Sequence, residues 1–241
     1  MKAFFYLVTL VYSQTVLAVE MNEINPEKIF NHNWKELCDW KSVEDTDDTP
    51  TWSCDSPGSS LQIVRSESTF KASGATLYEI LTDSNKKPDW VQGFSSAQQI
   101  WMSEDKMKFR EYVIYDMPFP ISDRDYIYEN SISFSSDMKS LNILIRSVED
   151  KRGPQDSIGI RGWTTFAAYR LIPKNEGKET FVETLIHTDP KGWLPSWLVN
   201  MLIRKFPAES AAGMREQIQK NWATGIPEIQ KMWEEILANT K

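Results

Sequence analysis

"HTDPKGWLPSWLVNMLIRKFP", His187 to Pro207, decides how the rest of the chain is read. It begins as a strand, turns through Asp189-Pro190-Lys191-Gly192, and runs on into Trp193, Pro195 and a long apolar stretch. Pro195 suits the first turn of a helix, where a missing N–H costs nothing. Trp197, Leu198, Met201 and Leu202 recur at helical spacing and predict an apolar stripe. Pro207 is expected to end or kink that helix. Ala211, Met214, Ile218 and Trp222 form a second stripe, Gly225 and Pro227 break the chain, and Ile229, Met232, Trp233, Ile236 and Leu237 make a last amphipathic piece. A helix this apolar has to cover something, and the upstream segments say what.

Those segments are strands. "WKELCDW" (34–40) and "TWSC" (51–54) are expected to form a hairpin that carries Cys38 and Cys54 on facing strands, joined by the polar loop "VEDTDDTPT" (43–51). "LQIVRSESTFKA" (61–72) alternates as a third strand, and "SGATLYEILTD" (73–83) has the spacing of a short helix. A broken polar segment follows and turns Trp90 and Phe94 toward whatever lies beneath it. Six further strands then come in quick succession, through "KMKFREYVIYD" (106–116), "DYIYENSISF" (125–134) and "LNILIRSV" (141–148) to "ETFVETLIHT" (179–188). The short turns between them require antiparallel neighbours, not crossovers.

Bulk properties narrow the function. The 241 residues suit one domain of ordinary size, and 41% apolar with 25% charged residues is a globular composition. A formal charge of −7 argues against nucleic acid and against strong attraction to anionic lipid, but leaves room for transient hydrophobic contact with a membrane. "MKAFFYLVTLVYSQTVLAVE" has an early Lys2, a short apolar core, and Val16 and Ala18 at the spacing a signal peptidase reads. Residues 1–18 are therefore read as a signal peptide, with a retained anchor as the alternative. The chain is expected to be exported, periplasmic or secreted. Two cysteines in an exported chain imply a Cys38–Cys54 disulfide, against two buried thiols. Two cysteines and two scattered histidines make no recognisable metal site, and no cofactor motif occurs.

The strand faces hold the candidate site. Residues two apart share a face. Phe109, Glu111, Val113 and Tyr115 form one inner face, and Tyr126, Tyr128, Asn130, Ile132 and Phe134 the next. Ile143 and Ile145 continue it on the following strand. Each of the first two faces carries one polar residue, Glu111 and Asn130. Unpaired, these would cost roughly 1–3 kcal/mol each in a tight core. Two readings stand: the pair lines a hollow and orients a ligand, or the two bond each other or a water in a solid core.

"MPFPISDRDYIYE" (117–129), then "HTDPKGWLPSWLVN" (187–200), then a C-terminal helix, resembles the START family, the StAR-related lipid-transfer domains. The resemblance covers roughly 34–222. It implies an α+β helix-grip fold: a curved antiparallel sheet wrapped around a long C-terminal α-helix, with an internal hydrophobic cavity for one lipid. It also implies a non-catalytic protein and a monomer. Some sterol-binding relatives pair an inward acid with an inward arginine. Here the acid position falls on Glu111 and the arginine position on Asn130, so that charge pair is not reproduced.

The expected organisation is a signal peptide (1–18), a lead-in segment (19–33), the lipid-binding domain (34–224) and a C-terminal helical extension (225–241). The expected function is binding and transfer of one hydrophobic small molecule. The alternatives are an enzyme on the same fold or a protein-interaction module. "GFSSA" lacks the last glycine of a nucleophile elbow. Candidate cavity residues are Trp90, Phe109, Glu111, Val113, Tyr115 and Tyr126, together with Tyr128, Asn130, Ile143, Ile145, Trp197 and Met201. A gate is expected at Phe119 and Trp197, with the Pro195–Pro207 helix moving as a unit between joints at Gly192 and Gly213.

Overall fold

The period-two segments close into one curved antiparallel sheet. In the computed structural model, which describes residues 26–44 and 48–240, the strands are β1 (Lys41–Glu44), β2 (Thr51–Asp55), β3 (Gln62–Phe70), β4 (Phe94–Met102), β5 (Lys108–Tyr115), β6 (Arg124–Phe134), β7 (Leu141–Ser147), β8 (Ile160–Arg161), β9 (Trp163–Lys174) and β10 (Glu179–Asp189). The helices are α1 (Gly74–Thr82), α2 (Ser196–Lys220) and α3 (Pro227–Asn239). The sheet order is β1-β2-β3-β10-β9-β7-β6-β5-β4, and the short β8 pairs in parallel with β6. β10 lies against β3, with Thr180 opposite Phe70, so the last strand joins the first three to the later meander. Residues 1–18, read as a signal peptide, lie outside the described residues.

α2 crosses the inner face as one continuous helix. Pro207 sits buried inside it, so of the expected end or kink the end is overturned. A proline in mid-helix removes one i→i−4 bond, here to the carbonyl of Ile203, and helix interiors tolerate that only with compensation. Burial of Pro207 with Ala211 and Met214 supplies it. Gly213 is likewise a packing residue. A Cβ there would lie 2.8 Å from the carbonyl oxygen of Trp90, so glycine is what lets α2 seat on that segment.

The helices pack against one end of the sheet. Leu77 and Ile80 of α1, Met214 of α2 and Trp233 and Ile236 of α3 share one core with Leu141, Ile143 and Leu171 of the sheet. Gly74 opens α1 directly against the Trp233 ring, where any Cβ would lie 2.3 Å from it. α3 thus packs into the main core, although the sequence reading set it apart as an extension.

The outer face is covered too. Ile29 and Trp34 lie over Ile63, Leu144, Phe166 and Leu185. The Trp34 indole donates to the Ile29 carbonyl at 2.8 Å, and Arg170 stacks on its ring at 4.4 Å. This corrects the expected hairpin: residues 34–40 fold over the sheet, and the strand begins only at Lys41. Cys38 lies in that approach, and Cys54 lies on β2. Their disulfide joins Cα atoms 6.2 Å apart and is worth about 3 kcal/mol in the loop-entropy account. Farther along, Asp125 is fully buried on the outer face and accepts from Arg161, Tyr112, Ser157 and the Ile158 amide. It pins residues 157–161 against β6.

Candidate ligand-binding site

Two adjoining hollows lie between α2 and the inner face of the sheet. The larger, about 250 Å³, sits under the first half of α2, with Val199, Ile203 and Phe206 as its roof. Tyr126, Tyr128, Thr164 and Thr188 form its floor. The smaller, about 80 Å³, continues between Phe70, Trp90, Val182 and Met214. Tyr115, Tyr128, Ile145, Tyr169, Ile186 and Phe206 border both, so the two are neighbours across those side chains.

A band of aromatic rings and hydroxyls runs along the wall. The Tyr126 and Tyr128 rings stack with centroids 5.1 Å apart, and Tyr115 meets Tyr126 edge-on at 5.7 Å. Tyr128 Oη lies 3.2 Å from Thr164 Oγ1, which lies 2.8 Å from Thr188 Oγ1. Burial pushes the phenols of Tyr126 and Tyr169 up to about 12 and that of Tyr128 well above its ordinary value. These phenols are therefore neutral at physiological pH and offer hydrogen bonds but no charge of their own.

Five of the sequence-expected residues meet at these hollows: Trp90, Tyr115, Tyr126, Tyr128 and Ile145. The others do not. Val113 packs with Val91 and Phe94, and Ile143 lies in the main core. Phe109 borders a separate hollow with Tyr78, Met107 and Ile229. Glu111 and Asn130 are buried on the inner face, but away from both cavities. Asn130 Nδ2 donates to Glu111 Oε1 at 3.2 Å, Ser84 Oγ donates to Oε2 at 2.5 Å, and Lys87 Nζ stands 3.5 Å from Oε1. The second of the two readings, mutual bonding in a filled core, is the one the structure shows.

Trp197 and Met201 also miss the cavities; Trp197 is 67% exposed and Met201 41%. Helix geometry gives the reason. At 3.6 residues per turn, positions two from Val199 point to the far side of α2. The expected gate partner Phe119 is 97% exposed.

The sequence reading missed several cavity residues. Thr184, Ile186 and Thr188 alternate along β10, and Ala167 and Tyr169 along β9, so a parity count on those two strands would have found them. Arg124, 2% exposed on the wall of the larger cavity, sits inside the quoted "ISDRDY" segment and was given no role.

An antiparallel sheet gripping a long helix over an apolar hollow defines a helix-grip ligand-binding protein. The START domain model matches residues 27–224, and the chain belongs to the START family. It is similar to an uncharacterized protein of Pseudomonas aeruginosa, 25% identical over 182 residues that cover 76% of this chain and 88% of that one. Among solved structures it resembles a STAR-related lipid transfer protein fragment from Xanthomonas axonopodis, with a TM-score of 0.65 and 21% identity over 75% of this chain and 98% of that one. It also resembles human STARD10, with a TM-score of 0.67 and 19% identity over 80% and 81% of the two chains. Membership of the family supports hydrophobic ligand binding in general, and the solved structures show the shared fold.

Proposed function

We propose that this chain takes up one lipid-like molecule, holds it between α2 and the sheet, and hands it on chemically unchanged. The carrying observation is the pair of adjoining cavities beneath α2, walled mainly by apolar side chains and neutral hydroxyls. Burying apolar ligand surface there contributes about 25 cal/mol per Å² before the costs of binding. The proposed contacts are the five expected residues named above together with Tyr169, Ile186 and Phe206. Extraction of the purified protein with organic solvent, followed by mass spectrometry, tests the reading. A stoichiometric lipid is expected. Failure to retain or bind any single-chain amphiphile sinks it.

Export fits the same picture. The apolar N-terminal segment and the Cys38–Cys54 bond support an oxidising compartment. N-terminal sequencing of the mature protein is expected to begin near Val19.

The route of entry is proposed at the loop after β5. Met117 and Leu202 border the larger cavity, and beside them Phe119, Trp197 and Met201 are exposed, as is Trp193. Because α2 is continuous through Pro207, a short helix swinging between two prolines no longer supplies the gate. Opening falls to residues 117–121 and to the turn from Gly192 to Pro195, where Gly192 takes a φ of +78°. The exposed rings suit shallow insertion into a bilayer surface. Replacing Trp193 and Trp197 with alanine is expected to slow lipid delivery to vesicles and leave unfolding within about 0.5 kcal/mol.

A further inference from the structure

The cavity wall carries one charge without a counter-charge. Arg124 lines the larger cavity and is 2% exposed. Its Nε donates to the Pro190 carbonyl at 2.8 Å, one terminal nitrogen to the Ser122 carbonyl, and the other to the Lys191 carbonyl at 3.2 Å. These bonds fix the guanidinium in place but bring no negative charge to it. A guanidinium has five N–H donors, and the three carbonyls leave two over. No carboxylate among the described residues forms an ion pair with Arg124. Asp189, in the adjoining turn, is engaged by Lys191 Nζ at 2.6 Å. Neither cavity has an aspartate or glutamate in its lining. The other lining cation, Lys87, already faces Glu111.

A buried, rigid and uncompensated cation beside an otherwise apolar hollow is costly, and it attracts an anion strongly. We propose that the ligand is an acidic amphiphile, with its anionic head on the free N–H groups of Arg124 and its chain running past Tyr128 and Phe206 toward the smaller cavity. This rests on the lipid-binding reading above and names the ligand class within it. The planar fork favours carboxylate or phosphate oxygens, and the three carbonyl bonds orient it before the ligand arrives. The neutral hydroxyls of Tyr126 and Thr188 stand on the same wall. The hollow is at the small end of the roughly 300–1,000 Å³ typical of ligand pockets, which favours one acyl chain over two.

The test compares oleate with methyl oleate, which share a chain and differ in charge. Binding is measured at about pH 8, well above the ordinary carboxylic acid range. Oleate is expected to bind at least roughly tenfold more tightly to the wild-type protein. Arg124→Gln should erase the preference while methyl oleate still binds, and Arg124→Lys should keep part of it. If Arg124→Gln does not fold, the wild-type comparison alone decides. Equal affinity for the two probes overturns the acidic ligand and leaves the cavity reading intact. A preference that persists in Arg124→Gln also overturns it. Binding of neither probe removes both readings. Inorganic phosphate titrated alone is expected to bind far more weakly than oleate. If it binds as tightly, Arg124 serves a free anion, and the lipid-head assignment fails.

Discussion

The two halves of α2 do opposite things with similar side chains. From Ser196 to Phe206 the helix roofs a hollow and leaves Trp197, Met201 and Leu202 in solvent. From Ala211 to Gln217 it joins the core shared with α1 and α3, with Ala211 and Met214 also bordering the smaller cavity, and Gly213 meets the Trp90 segment. The packed half is held by α1 and α3, two helices far apart in sequence. The hollow half is tied to the start of β3, where Asn200 accepts from the Gln62 amide and Arg204 donates to Gln62 Oε1. The same sheet therefore carries its main core at one end, beside the separate hollow at Phe109, and the paired cavities at the other. Stability belongs mainly to the first end and binding to the second.

The largest expected effect separates the two. Trp233→Ala removes a 3% exposed ring from the packed end and should cost about 3–5 kcal/mol in denaturant unfolding. Phe206→Ala, at the rim of both cavities, should cost less than half as much, because fewer packed atoms are left facing the gap. It should instead weaken amphiphile binding roughly tenfold. Equal stability losses from the two variants would erase the distinction between the ends.

Glu111 sharpens the same contrast. It looks like a selectivity group by parity, yet Ser84, Lys87 and Asn130 hold it outside the cavities. Glu111→Leu would leave Lys87 without its carboxylate and Asn130 without its acceptor. The expected cost is about 3 kcal/mol, as for one partner removed from a buried pair. Any change in the bound lipids should come from the released Lys87 in the smaller cavity, and Glu111→Gln, which keeps a polar acceptor, should leave the set unchanged. An altered lipid profile at full stability would return Glu111 to the binding site.

These outcomes show what sequence can and cannot reach. Strand alternation gives the face a residue occupies, and the inner positions of β5 and β6 follow it: Phe109, Glu111, Val113, Tyr126 and Asn130 are all buried. It does not give the depth along the strand at which filling stops. Tyr115 borders the hollow, while Glu111 and Val113 on the same face do not. That difference depends on where the segment from Ser84 to Phe94 lies, which local periodicity does not encode. Coverage of the outer face was hidden for the same reason. Asp125 and Glu129 alternate as solvent positions, yet both are buried, Asp125 beneath residues 157–161 and Glu129 between Arg110 and Arg146. Pro207 shows a third limit, since a local breaking signal was overridden by the burial of its ring inside α2.

The smallest expected effect concerns pH and the outer face opposite the hollow. His187 on β10 is 9% exposed, and its Nδ1 lies 3.0 Å from Thr165 Oγ1. Its Nε2 has no hydrogen-bond partner. Burial lowers its pKa below the ordinary 6.5, and nearby Asp189 only partly offsets the shift. The unfolded chain therefore binds this proton more readily than the folded one, so stability rises with pH across the interval between the two values. The full contribution is present above about pH 6.5 and is lost as the pH falls through the folded value. The acids with lowered pKa, Asp125 and Glu129 among them, add losses of the same sign only nearer their own, more acidic range. His187→Gln removes the titration and keeps a hydrogen-bonding side chain. Its unfolding free energy should fall less than that of the wild type just below about pH 6.5. Because His187 faces away from the cavities, amphiphile affinity over the same interval should be identical in the two proteins. A binding difference that follows the histidine would mean that the packed outer face and the hollow inner face are coupled through β10, and the division of labour between them would not hold.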